Sequence, residues 1–324
     1  MKKKGVDALY VKKQVDLIKK ESKKLLVGQD KIVHSFLRAI FANGHVLLEG
    51  IPGIGKTLAI RVLASTIGCS FSRIQFTVDL LPTDITGITS YTKERGFFTL
   101  KGPVFANLVL ADEINRAPPK TQSALLEAMQ EKQTTIGKET FKLPLPFFVM
   151  ATQNPIEQAG TYRLPEAQID RFLFKVDMVY PSNQEELEIL EKNISVRQYE
   201  DFKIKSVINP KELLKFQEMT RNVYVNQEIM DYIVRIVNKT RDRKGIQLGK
   251  YIQWGASPRA SIGLYIAAKA EALLNGSDFV KPQHVKNVAY EVMRHRILLT
   301  YEAEAEQIKT DQIIDEILSK VPIP

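Results

Sequence analysis

Residues 50–57, Gly50-Ile51-Pro52-Gly53-Ile54-Gly55-Lys56-Thr57, constrain this chain more than any others, because they fit Gly-x-x-x-x-Gly-Lys-Thr at every position. A loop of this spacing turns successive backbone N–H groups toward an anion, with Lys56 placed to reach β and γ phosphates and Thr57 to ligate magnesium. The pattern has meaning only between a strand and a helix, and both are present. Val46-Leu47-Leu48 is a short apolar run of the kind buried on both faces of a parallel sheet, and Leu58 to Thr66 has helical pattern. The helix aims the positive end of its dipole at the same anion. A chain with this unit folds as α/β, a parallel sheet layered with helices. Gly50, Pro52, Gly53, Ile54, Gly55, Lys56, Thr57 and Leu58 are the candidate ligand-binding residues of the loop.

The rhythm repeats downstream. Val109-Leu110-Ala111 and Phe147-Phe148-Val149-Met150-Ala151 read as further buried strands, with helical pattern from Thr121 to Glu131 between them. The first ends in Asp112-Glu113. Two carboxylates at the end of a buried strand are costly unless they have partners or work, and beside a phosphate loop the work divides. Asp112 holds magnesium, directly or through water, and Glu113 polarises the water that attacks the γ-phosphate. The next strand ends in Ala151-Thr152-Gln153-Asn154-Pro155. Asn154 can donate and accept between a phosphate and a water, and an Asn before Pro is equally a good turn former. Two arginines sit where a cation could be brought to the γ-phosphate. They are Arg171 in Asp170-Arg171-Phe172, which closes the α/β pattern, and Arg259 in the first turn of a helix started by Ser257-Pro258.

After Tyr180-Pro181-Ser182 the pattern turns wholly helical: Glu185 to Val196, Lys211 to Arg221, Gln227 to Arg241, Pro258 to Leu274, Pro282 to Arg294 and Ala303 to Lys320. The organisation expected is a basic amphipathic N-terminal helix over 1–24, with Val11, Val15 and Ile18 on its apolar face, an α/β domain over 25–181 and a smaller all-α domain over 182–324. A lone Cys69 and the lack of paired Cys or His spacings exclude a disulfide or zinc scaffold. No apolar run reaches the roughly 20 residues of a transmembrane helix, so no membrane span is expected and the expected location is cytoplasmic.

These motifs, in this order and spacing, resemble the AAA+ ATPases and within them the MoxR family. The resemblance is carried by Gly44-His45-Val46-Leu47-Leu48-Glu49-Gly50 into the phosphate loop, by 112–122 (Asp112-Glu113-Ile114-Asn115-Arg116 onward), by 151–155, by 164–172 and by Gly255-Ala256-Ser257-Pro258-Arg259. It implies ATP and Mg2+ as cofactors, a P-loop AAA+ domain followed by a helical lid, Asn154 as sensor 1, and Arg171 as an arginine finger reaching a neighbouring subunit's site. It further implies Arg259 as sensor 2 on the lid, and Val27 and Gly28 as the border of the adenine pocket. Arg116 is implied at the subunit boundary. Arg163 stands where the family usually has Pro and adds a cation near the finger. A hairpin insertion is implied near 79–103, with a turn at Arg95-Gly96.

The resemblance points to ATP hydrolysis coupled to remodelling or maturation of a protein complex, by a homo-oligomer, hexameric in the family, with a protein client and a von Willebrand factor A domain adaptor. The alternatives are a nucleic-acid-dependent ring motor, a magnesium-chelatase-like motor subunit, and a nucleotide-controlled binding switch. The chain's net charge of +9 first suggests nucleic acid. Its placement does not: +6 falls within the first 24 residues, while 79–103 is neutral and the next expected hairpin, 131–142, carries only +1. Neither is a phosphate track, so a nucleic-acid partner is not expected.

Overall fold

The structure is a computed structural model that describes residues 7–50, 53, 55–94, 96–154, 161–178, 180–192 and 199–324. Pro52 and Ile54 of the loop, Arg95 of the hairpin turn, Pro155 and Val196 lie outside the described residues, as do the first lysines of the basic segment.

The first helix, α1 (Ala8–Ser22), is capped by Asp7 and followed by α2 (Asp30–Phe41). Then come β1 (Val46–Gly50), α3 (Lys56–Thr66), β2 (Phe71–Gln75), a one-turn α4 (Pro82–Thr86), and an antiparallel hairpin of β3 (Gly87–Thr92) and β4 (Gly96–Lys101). Next are β5 (Leu108–Asp112), α5 (Pro119–Glu131), a second hairpin of β6 (Gln133–Ile136) and β7 (Glu139–Lys142), β8 (Phe148–Gln153), α6 (Glu166–Ile169) and β9 (Phe174–Met178). β2, β5, β8, β1 and β9 form, in that order, one five-stranded parallel sheet.

The inner strands are buried on both faces, and the strand alternation divides them between two cores. Val46, Leu48, Leu108, Leu110, Phe148 and Met150 face the core built with α1, α2 and α3, while Leu47, Val109, Ala111, Val149 and Ala151 face the core built with α5. β2 and β9 were not expected from the sequence. β2 is an edge strand with one buried residue, so its pattern is weak, whereas Phe174, Val176 and Met178 of β9 alternate as a half-buried strand should. The α/β layer therefore continues past Asp170-Arg171-Phe172 instead of closing there.

The helical part comprises α7 (Asn183–Glu191), α8 (Pro210–Asn222), α9 (Gln227–Asp242), β10 (Ile252–Trp254), α10 (Pro258–Leu274), α11 (Pro282–Met293), β11 (Leu298–Leu299), α12 (Tyr301–Ala305) and α13 (Thr310–Lys320). Two expectations are corrected here. Strands do not stop at residue 181, because β10 and β11 pair antiparallel. The last segment is two helices, since Gln307 turns to a φ of +56° between α12 and α13. The first core runs on without a break into α10, α11 and α13, and α1 packs on α2, α3 and α10, so the basic helix touches both parts of the molecule. Among the described residues no helix is long and apolar enough to cross a membrane.

Candidate nucleotide site

Parallel sheets place ligands beyond the carboxyl ends of their strands, and the expected residues gather there. Gly53 and Gly55 hold φ of +87° and +82°, a region that an L side chain enters only with strain, and a Cβ on Gly53 would meet no atom within 4 Å. Glycine is thus required by the backbone turn, not by crowding. Gly55 is the N-cap of α3, and Lys56 folds back to donate to the Gly50 carbonyl. Burial pushes the Lys56 ammonium below its ordinary pKa, opposed by the charges of Asp112, Glu113 and Glu49.

Sheet register sets the acids. Ala111 pairs with Ala151, which brings Asp112 level with Thr152. The Thr152 hydroxyl donates to Asp112 Oδ1 at 2.7 Å and accepts the Glu113 N–H at 2.8 Å. The other oxygen, Asp112 Oδ2, accepts Arg73 Nη2 at 2.7 Å and Nε at 3.2 Å. Glu113 is held in the left-handed region at φ +56°, a strained position for a non-glycine residue, with its carboxylate 2.8 Å from Arg116 Nε and 3.2 Å from Gln75 Nε2. Arg116, expected at a subunit boundary, thus contacts Glu113 of its own chain. Gln122, fully buried, donates to the carbonyls of Ile114, Ala117 and Tyr162 and ties the turn carrying Arg116 to the segment leading to Arg163.

A cleft of about 390 Å³ is lined by Gly53, Gly55, Lys56, Thr57, Leu58, Arg73, Asp112, Glu113, Thr152 and Asn154. It adjoins a larger one of about 850 Å³, which shares Gly53, Gly55 and Leu58 and is walled by Val27, Gly28, Met178 and Tyr180. α7 closes on it so tightly that a Cβ on Gly28 would lie 2.4 Å from the Glu185 carboxyl carbon. The polar cleft suits phosphates and the apolar one a base. Asp112 and Thr57 offer the hard oxygen donors that magnesium takes, so the donor set fits that ion. Among the described residues no cluster of three or more His, Cys, Asp or Glu offers a protein-only metal cage.

Arg171 and Arg259 line neither of these clefts. They share a third, of about 340 Å³, with Asp170, Arg296, Lys132 and an apolar wall that includes Met129 and Ile262. Arg296 is the residue that sequence reasoning missed. It is nearly buried, pairs with Asp170 Oδ1 at 2.7 Å, and donates to the carbonyls of Phe172 and Leu173 at 2.7 and 3.1 Å. One lid arginine therefore fixes the backbone that carries Arg171. Arg73 and Gln75 were missed as well, because the edge strand that carries them is too weakly patterned to be read, and so was Thr152, because its strand's pattern speaks only of burial.

Residues 45–174 match the family described as "ATPase family associated with various cellular activities (AAA)", and residues 248–317 match the AAA lid domain. The chain is 49% identical over 311 residues to the chaperone MoxR1 of Mycobacterium tuberculosis, covering 94% of this chain and 81% of that one. It is 31% identical over 325 residues to the protein MoxR of Methylorubrum extorquens, with 94% of each covered. A crystal structure from Cytophaga hutchinsonii superposes with a TM-score of 0.91 at 44% identity, over 98% of this chain and 97% of that one.

Proposed function

This chain belongs to the MoxR family of AAA+ ATPases, and from that premise we propose that it hydrolyses ATP with magnesium and couples the hydrolysis to remodelling or maturation of a protein complex. In this reading it works as a homo-oligomeric ring, six-membered as the family resemblance suggests, on a protein client brought by a von Willebrand factor A domain adaptor. The observation that carries the reading is the division of the cations. Lys56 lines the cleft of Asp112, Glu113 and Asn154, while Arg171 and Arg259 line a separate one, as is needed if one subunit completes the site of the next.

The roles follow from chemistry. Lys56 and the backbone N–H groups of the loop hold the β and γ phosphates, and Val27 and Gly28 border the base. Asp112 and Thr57 hold magnesium, which when bound neutralises phosphate charge. Glu113 takes up the proton of the attacking water, for which its carboxylate must leave Arg116 and Gln75, and Asn154 orients that water. Arg171 and Arg259 of a neighbouring subunit supply positive charge where it develops on the γ-phosphate. α7, packed on Gly28, and Arg296, which grips the Arg171 segment, carry changes at the nucleotide to the lid.

The test is Glu113→Gln. It keeps Lys56 and Thr57 and removes the base, so ATP binding should persist while hydrolysis stops. Proteins retained on that trapped form in lysate name the client. Wild-type turnover by Glu113→Gln would overturn the assignment.

A further inference from the structure

Arg73 lies in the middle of β2, two residues from Gln75, whose Cα is in register with Asp112 on β5. Residues two apart on a strand share a face, so both side chains run toward the end of the sheet where the two acids stand. Arg73 lines the phosphate cleft together with Lys56, Thr57 and Asn154. Although its side chain is about half exposed, two of its nitrogens converge on a single oxygen, Asp112 Oδ2, at 2.7 and 3.2 Å.

The division of the Asp112 carboxylate gives this contact its meaning. Oδ1 is committed to the Thr152 hydroxyl, which also accepts the Glu113 N–H and so belongs to the frame of the strand ends. Oδ2 is the oxygen left for a ligand, and Arg73 holds it. Asp112 is only 15% exposed, so an unpaired carboxylate there would be poorly solvated, and a cation on Oδ2 relieves that cost. A divalent ion at the same oxygen would relieve it too, and would repel a guanidinium so near. The two cations therefore compete for Oδ2. Arg73 has a second partner to retain when it turns away, the Gln75 carboxamide oxygen, which accepts Nη2 at 2.5 Å.

We propose that Arg73 is a displaceable counter-cation of the metal site: it occupies Asp112 Oδ2 when no divalent ion is bound, and an incoming ion must turn it aside. The proposal rests on the reading of this cleft as a magnesium-nucleotide site and adds a residue that sets its metal affinity. Arg73 is a positioning residue, acting through Asp112. It keeps the empty site ordered and raises the divalent-ion concentration needed to fill it, so that the metal enters with the nucleotide's own phosphate oxygens and not alone.

The experiment uses the full chain saturated with a non-hydrolysable ATP analogue and titrates Mn2+, with free ion read by its electron paramagnetic resonance signal. Arg73→Ala should lower half-saturating Mn2+ by about fivefold, the size of one half-exposed ion pair. Arg73→Lys, which keeps the charge but loses the two-nitrogen grip, should fall between. An unchanged or raised half-saturation in Arg73→Ala overturns the proposal, a rise meaning that Arg73 recruits phosphate instead. Should Arg73→Ala misfold by circular dichroism, the Arg73→Lys titration decides, since an unshifted value there also overturns it. Lys56→Ala separates the premise from the proposal. If that variant binds the analogue as tightly as the wild type, the nucleotide reading of the cleft fails, whatever Arg73 does.

Discussion

Arg259 Nη1 lies 3.3 Å from Asp170 Oδ2, an ion pair between the first turn of α10 on the lid and the residue before Arg171. The other oxygen of Asp170 belongs to Arg296. One carboxylate thus sets two lid arginines and the backbone of Arg171 on a single ridge, away from the cleft of Lys56. A ridge of this kind, carrying cations set apart from the Lys56 cleft of their own chain, is what a catalytic contribution to a neighbour requires.

Arg171→Ala should accordingly bind ATP normally and hydrolyse it poorly, with a loss on the order of 10³-fold or more if it acts as an arginine finger. Mixed with Glu113→Gln, it should regain part of the activity, because the intact finger of a Glu113→Gln subunit serves the intact base of an Arg171→Ala neighbour. Steady-state ATPase across mixing ratios checks this, and a flat line at the sum of the two variants argues against catalysis in trans. Arg259→Ala should respond to mixing in the same way, since it shares the ridge.

The buried network between α2 and the lid gives a stability prediction. Glu271 of α10 accepts His34 Nε2 at 2.8 Å and Asn287 Nδ2 at 2.9 Å, and sits 3.0 Å from Arg38 Nε in ion-pair contact without hydrogen-bond alignment. Burial alone would raise its pKa, but the His34 hydrogen bond and the Arg38 charge hold it well below the usual carboxylate range. Glu271→Ala leaves Arg38, 5% exposed, with only Glu291 as a charged partner, and should cost roughly 3–5 kcal/mol in a denaturant titration. A cost under about 1 kcal/mol would mean that the network is solvated in solution.

How much of this was legible in the sequence depended on whether a residue's role is local. Gly53, Gly55, Lys56 and Thr57 follow one another in a loop whose backbone conformation the glycines dictate, and Asp112 and Glu113 end an apolar run, so order along the chain announced them. Arg73 and Thr152 act on Asp112 from neighbouring strands, and Arg296 reaches Asp170 across 126 positions. Such contacts follow from strand order and lid docking, which periodicity does not encode. The edge strand β2 was missed because one face of it has no core to pattern it, and the break at Gln307 because a positive φ was taken up by a residue other than Gly or Asn.

The two hairpins bear on the nucleic-acid alternative. On the first, the exposed surface is apolar more than basic: Phe97 is 80% exposed and Tyr91 59%, their rings tilted by 55° with centroids 5.0 Å apart, and Ile88 and Leu100 are also outward, while the second exposes Lys138 and Lys142 beside Glu139 and two threonines. Phosphate tracking needs clustered cations, and its affinity falls steeply with salt. ATPase rate should therefore be unchanged by single-stranded or duplex DNA at moderate salt, and a several-fold stimulation would restore the reading as a nucleic-acid-dependent ring motor.

His45 adds a pH dependence. It is buried at the start of β1, where its Nδ1 accepts the Val149 N–H at 3.0 Å and its Nε2 faces the Met129 carbonyl at 3.1 Å, so the neutral ring with the proton on Nε2 satisfies both. Protonation of Nδ1 would set two donors against each other. Burial, helped by the Lys132 charge and opposed by the Met129 carbonyl, brings the folded pKa down to about 4. The unfolded chain takes up that proton near the ordinary value of about 6.5, so the stabilisation is fully present above that pH and is lost as pH falls toward 4, by roughly 3 kcal/mol in all. His295, buried against the Phe172 carbonyl and likewise pushed down by burial, adds a loss of the same sign. His45→Gln can make both hydrogen bonds without titrating. Urea midpoints at pH 7.5, 6 and 5 should fall less steeply for His45→Gln than for the wild type, keeping only the slope of His295 and the acids. Parallel slopes would mean that His45 is solvated, and that the joint between β1, β8 and α5 beneath the phosphate loop is looser than its hydrogen bonds imply.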